Sequence, residues 1–146
     1  MTGLNHVLTG SAIALMVRQP LLAAPLAFLS HFVLDATPHF GGTPVYEFGQ
    51  HRLFPYIMFA DGIISISAVL FICNQAPELA NVILLSSLCA MIPDVLLFTY
   101  YANGRPNTWF HRFHLGIQWF ERPPGLLVEA SYAVFISTVI AALLWR

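Results

Sequence analysis

Lysine is absent from the chain, and charged residues of every kind make up only 9% of its 146 residues, against about 25% in an ordinary soluble domain. The six arginines fall in or beside the breaks between apolar runs: Arg18, Arg52, Arg105, Arg112, Arg122 and Arg146. With a formal net charge of −1 there is no basic surface to follow a phosphate backbone, which argues against nucleic acid as a partner. Cysteine is equally scarce. Cys73 and Cys89 sit inside apolar segments without CxxC spacing, so they read as small buried hydrophobes, not as a disulfide or redox pair. A basic N-terminal stretch is also missing. The first positive residue, Arg18, follows the first apolar run, so that run reads as a retained helix and not as a secretory signal.

What is present in excess is hydrocarbon: 58% of residues are hydrophobic and the mean hydropathy is +0.71. The apolar residues come in runs of near-spanning length, not in amphipathic stripes. The expectation is an all-α integral membrane bundle, a single transmembrane domain over 1–146, with four to five short transmembrane helices and an interfacial amphipathic helix. Proline sets the limits. Pro20 begins a helix that Pro38 must end, because the pyrrolidine ring clashes with the carbonyl four residues back. The spans read as about 4–17, 21–37, 55–74, 79–101 and 126–145. A shorter helix over about 108–121 carries an apolar stripe of Phe110, Phe113, Ile117 and Phe120 beside a polar one of His111, His114, Gln118 and Glu121. Trp109 and Trp119 suit the headgroup level, which suggests an interfacial position. Residues 39–54 have no periodicity and read as a loop.

If the five spans alternate in direction, all six histidines and all three aspartates fall in one half of the bilayer or just outside it. The other side keeps only Arg18, Gln19, Asn74, Gln75, Glu78, Asn81 and Arg146. An ionisable side chain at the centre of a span costs roughly 2.5–3.5 kcal/mol on insertion scales, so His31, Asp35, Asp61 and Asp94 require a reason. One reading is a shared site; the other is an ordinary interhelical hydrogen bond for each. His31 and Asp35 lie one helical turn apart and share a face, as two ligands of one metal ion do. His39 reaches the same ion only if Pro38 turns the chain. His111 and His114 share a face of the short helix, and His6 stands on the same side. His51 is the weakest candidate. The expected ligands are therefore His6, His31, Asp35, His39, Asp61, Asp94, His111 and His114.

His31-Phe32-x-x-Asp35 followed by Pro38-His39 resembles a segment of the zinc-dependent phospholipase C and single-strand nuclease superfamily. His6-x-x-x-Gly10, Pro93-Asp94 and His111-Arg112-x-His114 look like the scattered motifs of the bacterial membrane-bound metal-dependent hydrolases, a resemblance that covers most of the chain. It implies a hydrolase of an ester or phosphoester at the membrane surface, with a lipid as the substrate class and one or two zinc ions. Asp35 and Asp94 are the expected catalytic carboxylates. Arg112, and after it Arg52 or Arg105, is the expected phosphate-binding residue. Intramembrane His and Asp equally suit divalent-metal or proton transport, haem ligation by two helical histidines, or a non-catalytic scaffold fixed by polar packing. Four arginines on the site side against two opposite place that side toward the cytoplasm of a bacterial inner membrane. A bundle this small is also suited to pairing as a homodimer.

Overall fold

A computed structural model describes residues 1–40, 54–103, 108–122 and 124–146. These form six α-helices: α1 (Gly3–Val17), α2 (Pro20–Asp35), α3 (Phe54–Gln75), α4 (Ala80–Asn103), α5 (Trp109–Ile117) and α6 (Gly125–Leu144). A 3-10 turn, Pro77–Leu79, joins α3 to α4, and no strand occurs among the described residues. Three stretches are long and apolar enough to cross a membrane: Tyr56–Gln75, Pro77–Leu97 and Gly125–Leu144. The apolar helices α1 and α2 have 15 and 16 residues, about 22–24 Å of rise against a hydrocarbon core of about 30 Å.

Exposure runs opposite to that of a water-soluble bundle. Leu29 and Val33 of α2, Phe59 and Ile66 of α3, Leu88 of α4 and Leu127 and Val134 of α6 are all more than half exposed. The interior instead holds Asn5, His6, Ser11, His31, Asp35, Ser86, His114 and Glu129. Acyl chains solvate such an exterior without cost, whereas each polar group must find its partner inside.

The shortest of the apolar helices is the central one. α1 touches α2, α3, α4 and α6 and is buried over most of its length, from Gly3 to Leu15. Small residues permit this. A Cβ on Gly10 would lie 2.8 Å from the carbonyl oxygen of Ser86 and 3.0 Å from Ser87 Cα, so α1 and α4 meet backbone to backbone there. Nearby, the Ser11 and Ser87 hydroxyls are 3.0 Å apart, and Ser87 also donates to the Val7 carbonyl.

Arg18, at φ 57°, reverses the chain after α1, its N–H donating to the Ala14 carbonyl. Its guanidinium lies 3.9 Å from Glu78, which puts the α1–α2 and α3–α4 turns at the same end, away from the histidines.

Two expected boundaries are corrected. α2 stops at Asp35, not 37, because the Thr37 amide and hydroxyl both turn back to the Leu34 carbonyl ahead of Pro38. α5 stops at Ile117, not 121, where Gln118 leaves the helical conformation. α5 turns buried His114 toward the bundle, while Trp109 and Phe113 on it and Trp119 just after it are exposed.

Gly10→Ala is expected to destabilise the bundle by about 1–3 kcal/mol, because α1 and α4 must separate. Gly116→Ala, where a Cβ meets nothing within 4 Å, should be neutral or stabilising by up to about 1 kcal/mol. Unfolding midpoints in detergent test the pair. Equal midpoints for Gly10→Ala and wild type would rule out the close α1–α4 contact.

Candidate metal centre

His31 and Asp35 lie at successive turns of α2 and point to one face, where α4 brings Asp94 and α5 brings His114. One ligand atom from each of the four lies within 4.8 Å of the others, a group that could hold a metal ion. Asp35 Oδ2 is 2.9 Å from His114 Nε2 and 3.1 Å from His31 Nε2. Asp94 Oδ1 is 3.5 Å from His31 Nε2 and 3.7 Å from His114 Nε2. The two imidazole Nε2 atoms are 3.0 Å apart. Three of these side chains are fully buried; that of Asp94 is 24% exposed and marks the open side.

The fold orients the rings. His31 Nδ1 donates to the Ala90 carbonyl at 2.7 Å, which fixes the ring with Nε2 turned toward the carboxylates. Ala90 sits in the turn before Pro93, where a missing proline N–H loosens the ladder of α4. Phe32 packs edge-on against both His31 and His114.

His6 stacks on His31 with centroids 4.0 Å apart. Its Nε2 is 3.1 Å from Asp35 Oδ1 and 3.9 Å from Asp94 Oδ2, yet neither of its nitrogens makes a hydrogen bond of acceptable geometry, although the ring is fully buried. The Met1 amine lies 2.6 Å from Asp35 Oδ1. Burial opposes its charge, but Asp35, Asp94 and Glu129 outweigh that and raise its pKa above the ordinary amine value. Gln118 donates to Asp35 Oδ2 at 3.2 Å. Each carboxylate is thus divided, one oxygen toward His31 and His114 and the other toward His6.

Four expected ligands are not part of this group of four: His6 stacks beside it, and three others have different partners. Asp61 accepts from the Gly3 and Leu4 amides at 2.8 and 3.1 Å; it caps the start of α1 from a neighbouring helix, a task Thr2 does not perform. His39 follows the turn at Pro38 away from the cluster, donating from Nδ1 to the Thr37 carbonyl with Nε2 3.4 Å from Glu121. His111 has Nδ1 2.6 Å from the Thr108 hydroxyl and Nε2 3.2 Å from the Leu96 carbonyl, so both nitrogens are engaged. Arg112 is exposed on α5, two residues before His114. His51, Arg52 and Arg105 lie outside the described residues.

Sequence reasoning missed Glu129. It is buried in α6 and accepts from the Phe40 and Thr2 amides, tying the segment after α2 and the chain start to the last helix. A lone acid four residues into the apolar run of 126–145 carries the same signal as Asp61 and Asp94. Gly125 completes that junction, since a Cβ there would lie only 2.1 Å from the His39 carbonyl carbon and oxygen.

Asp61→Asn should leave metal binding intact while costing about 0.5–2 kcal/mol of stability, the value of a helix cap. Metal content and unfolding midpoint measured on the same sample separate the two roles; loss of metal with unchanged stability would make Asp61 a ligand after all. No family model matches this chain, and neither does any curated protein or solved structure, so the chemistry of the site carries the functional reading.

Proposed function

We propose that the chain is a membrane-embedded, metal-dependent hydrolase that cleaves an ester or phosphoester, of a lipid, at the membrane surface. The observation that carries this is the convergence of His31, Asp35, Asp94 and His114 with their ligand atoms mutually in reach. Five of the six separations, 2.9 to 3.7 Å, lie around the edge of about 3.4 Å that a tetrahedron of ligands has around zinc, and all four atoms lie within 4.8 Å of one another. A purely structural polar cluster satisfies its members, yet the Nδ1 atoms of His6 and His114 are buried without a hydrogen bond, and His6 Nε2 has only a poorly aligned contact with Asp35. The other carboxylate oxygens face His6, and Asp35 Oδ1 is held there by the Met1 amine.

When bound, zinc polarises the scissile group and brings the pKa of water to about 7. The chain's own residues do the rest. Asp94, the partly exposed ligand, faces the side from which substrate arrives and can take a proton there, while buried Asp35 holds the histidines in register. Arg112, exposed on α5 and turned away from the face that carries His114, would meet a substrate phosphate from the surface side with two parallel N–H donors. The membrane is the bacterial inner membrane, with the site toward the cytoplasm, because the alternation of spans in the sequence assigns four of the six arginines to that side. The likeness of His31-Phe32-x-x-Asp35 and of the Pro93-Asp94 and His111-Arg112-x-His114 motifs to metal-dependent hydrolases supports the reading.

Protein purified in mild detergent without a metal-binding tag is expected to carry stoichiometric zinc, read by mass spectrometry, and to lose it in Asp35→Ala, His31→Ala and His114→Ala. A folded wild type that holds no metal and takes none up would end the proposal. Arg112→Ala should keep the metal but raise KM for a phosphoester about 10- to 100-fold, the range of a charged hydrogen bond; an unchanged KM would remove Arg112 from substrate binding.

A further inference from the structure

A cavity of about 320 Å³ opens between α3 and α4 toward the exposed apolar exterior. Met58, Ile66 and Leu70 form one wall, Leu84, Leu88 and Met91 the other, and Val7 of α1 the floor. It follows α3 from Met58 to Leu70, about 18 Å of helix rise, close to the roughly 15 Å depth of one leaflet. We infer that this groove is an acyl-chain subsite, holding one hydrocarbon tail of the membrane lipid whose headgroup region is presented to the metal centre. The inference rests on the hydrolase reading and adds to it where the rest of the substrate goes.

The wall chemistry selects an apolar occupant. Asp61 stands in the groove, but its oxygens already accept from the Gly3 and Leu4 amides. The Ser87 hydroxyl is engaged with Ser11 and the Val7 carbonyl. That leaves the Ser65 hydroxyl as the one uncommitted polar group among the lining residues described. A phosphate or sugar would lose its hydration there without compensation; a methylene chain loses nothing. The surroundings supply such a chain, since the groove opens on the exposed aliphatic face that the bilayer covers.

Position joins the groove to the chemistry. Met91, which lines the groove and packs beside Gly3, lies one turn before Asp94 on α4, about 4.5 Å of rise. Asp94 is the ligand with the exposed side chain. A lipid with its tail between α3 and α4 therefore brings its ester region to the open side of the centre without leaving the membrane. Gly62 belongs to the same groove, and a Cβ there would meet no atom within 4 Å. The position is bare and can be filled.

The test uses the full chain in nanodiscs of phosphatidylethanolamine and phosphatidylglycerol, with a small share of phosphatidylglycerol carrying a diazirine in one acyl chain. After illumination, labelled residues are mapped by peptide mass spectrometry. Labels should concentrate on the groove walls over Leu127 and Val134, which are comparably exposed on α6. Gly62→Phe should lower groove labelling about tenfold, as expected when about two methylenes are displaced, with α6 labelling and metal content unchanged. Leu88→Trp blocks from the opposite wall and should act alike. Even labelling of all exterior faces, or groove labelling indifferent to both variants, overturns the subsite. A wild type without metal that still shows blockable groove labelling would instead sink the hydrolase reading and keep the lipid groove.

Discussion

Asp35 is fully buried, and every atom its oxygens face is a nitrogen: His31 from its own helix, His6 and the Met1 amine from the start of the chain, and His114 and Gln118 from the segment after α4. A carboxylate withdrawn from water costs several kcal/mol unless its lone pairs are met. Meeting them draws three separate stretches of chain to one point. The short helix α5 packs on α2 and α4 and places His114 inside, although its own sequence would equally allow it to lie flat with the histidines in the headgroups. Asp94 adds a second carboxylate against the same two imidazoles. Two acids against the same imidazoles are held together by positive charge between or around them, from protonated imidazole, an amine or a cation, or by a proton on one of them. The same constraint explains both why the cluster forms and why it suits a metal.

The pillar for this arrangement is α1. Its first turn is capped from α3 by Asp61, its middle lies against α4 at Gly10, and Asn5 donates from its side chain to the Glu129 carbonyl of α6. Thr9 reaches the Tyr132 hydroxyl on the same helix. In lipid the association of helices gains little from hydrophobicity, because the tails outside are as apolar as leucine. Close approach and buried hydrogen bonds replace it. The residues that make α1 look weakly hydrophobic for a span, Gly3, Asn5, His6, Thr9, Gly10 and Ser11, are the ones that hold it in the centre.

Local chemistry carried the sequence reading as far as the elements. Proline and glycine punctuation put the ends of the five apolar helices within two residues of those observed, and the i, i+4 spacing of His31 and Asp35 placed them on one face. The partners of isolated polar residues were less legible. Asp61 and Asp94 carry the same signal in sequence, an acid within a span, yet one caps a helix and the other joins the cluster. What separates them is which backbone lies opposite, a long-range fact. His111 and His114 share spacing and helix, but Thr108, three residues before His111 and at the N-cap of α5, captures the first ring and leaves the second to Asp35. His39 is decided by the turn that Pro38 imposes, which directs its ring toward Glu121 and not into the His31–Asp35 cluster.

The distribution of polarity along the bundle bears on what the centre can do. From the cluster inward the polar groups thin out through Asn5, Thr9 with Tyr132, and Ser11 with Ser87. Beyond them, toward the Arg18 and Glu78 end, the buried residues are Ala14, Leu15, Ile72, Ile83, Ile136 and Ile140. An ion or proton moving across would have to leave its last hydroxyl and enter an interior with nothing to replace its hydration, a cost of the order that keeps charged side chains out of spans. A transporter distributes such groups along its whole path or opens a wet cavity from each face. Here the described polar interior is one-sided and the partly exposed Asp94 lies on that same side, a layout that fits the proposed hydrolase, open to one surface, better than a path across the membrane.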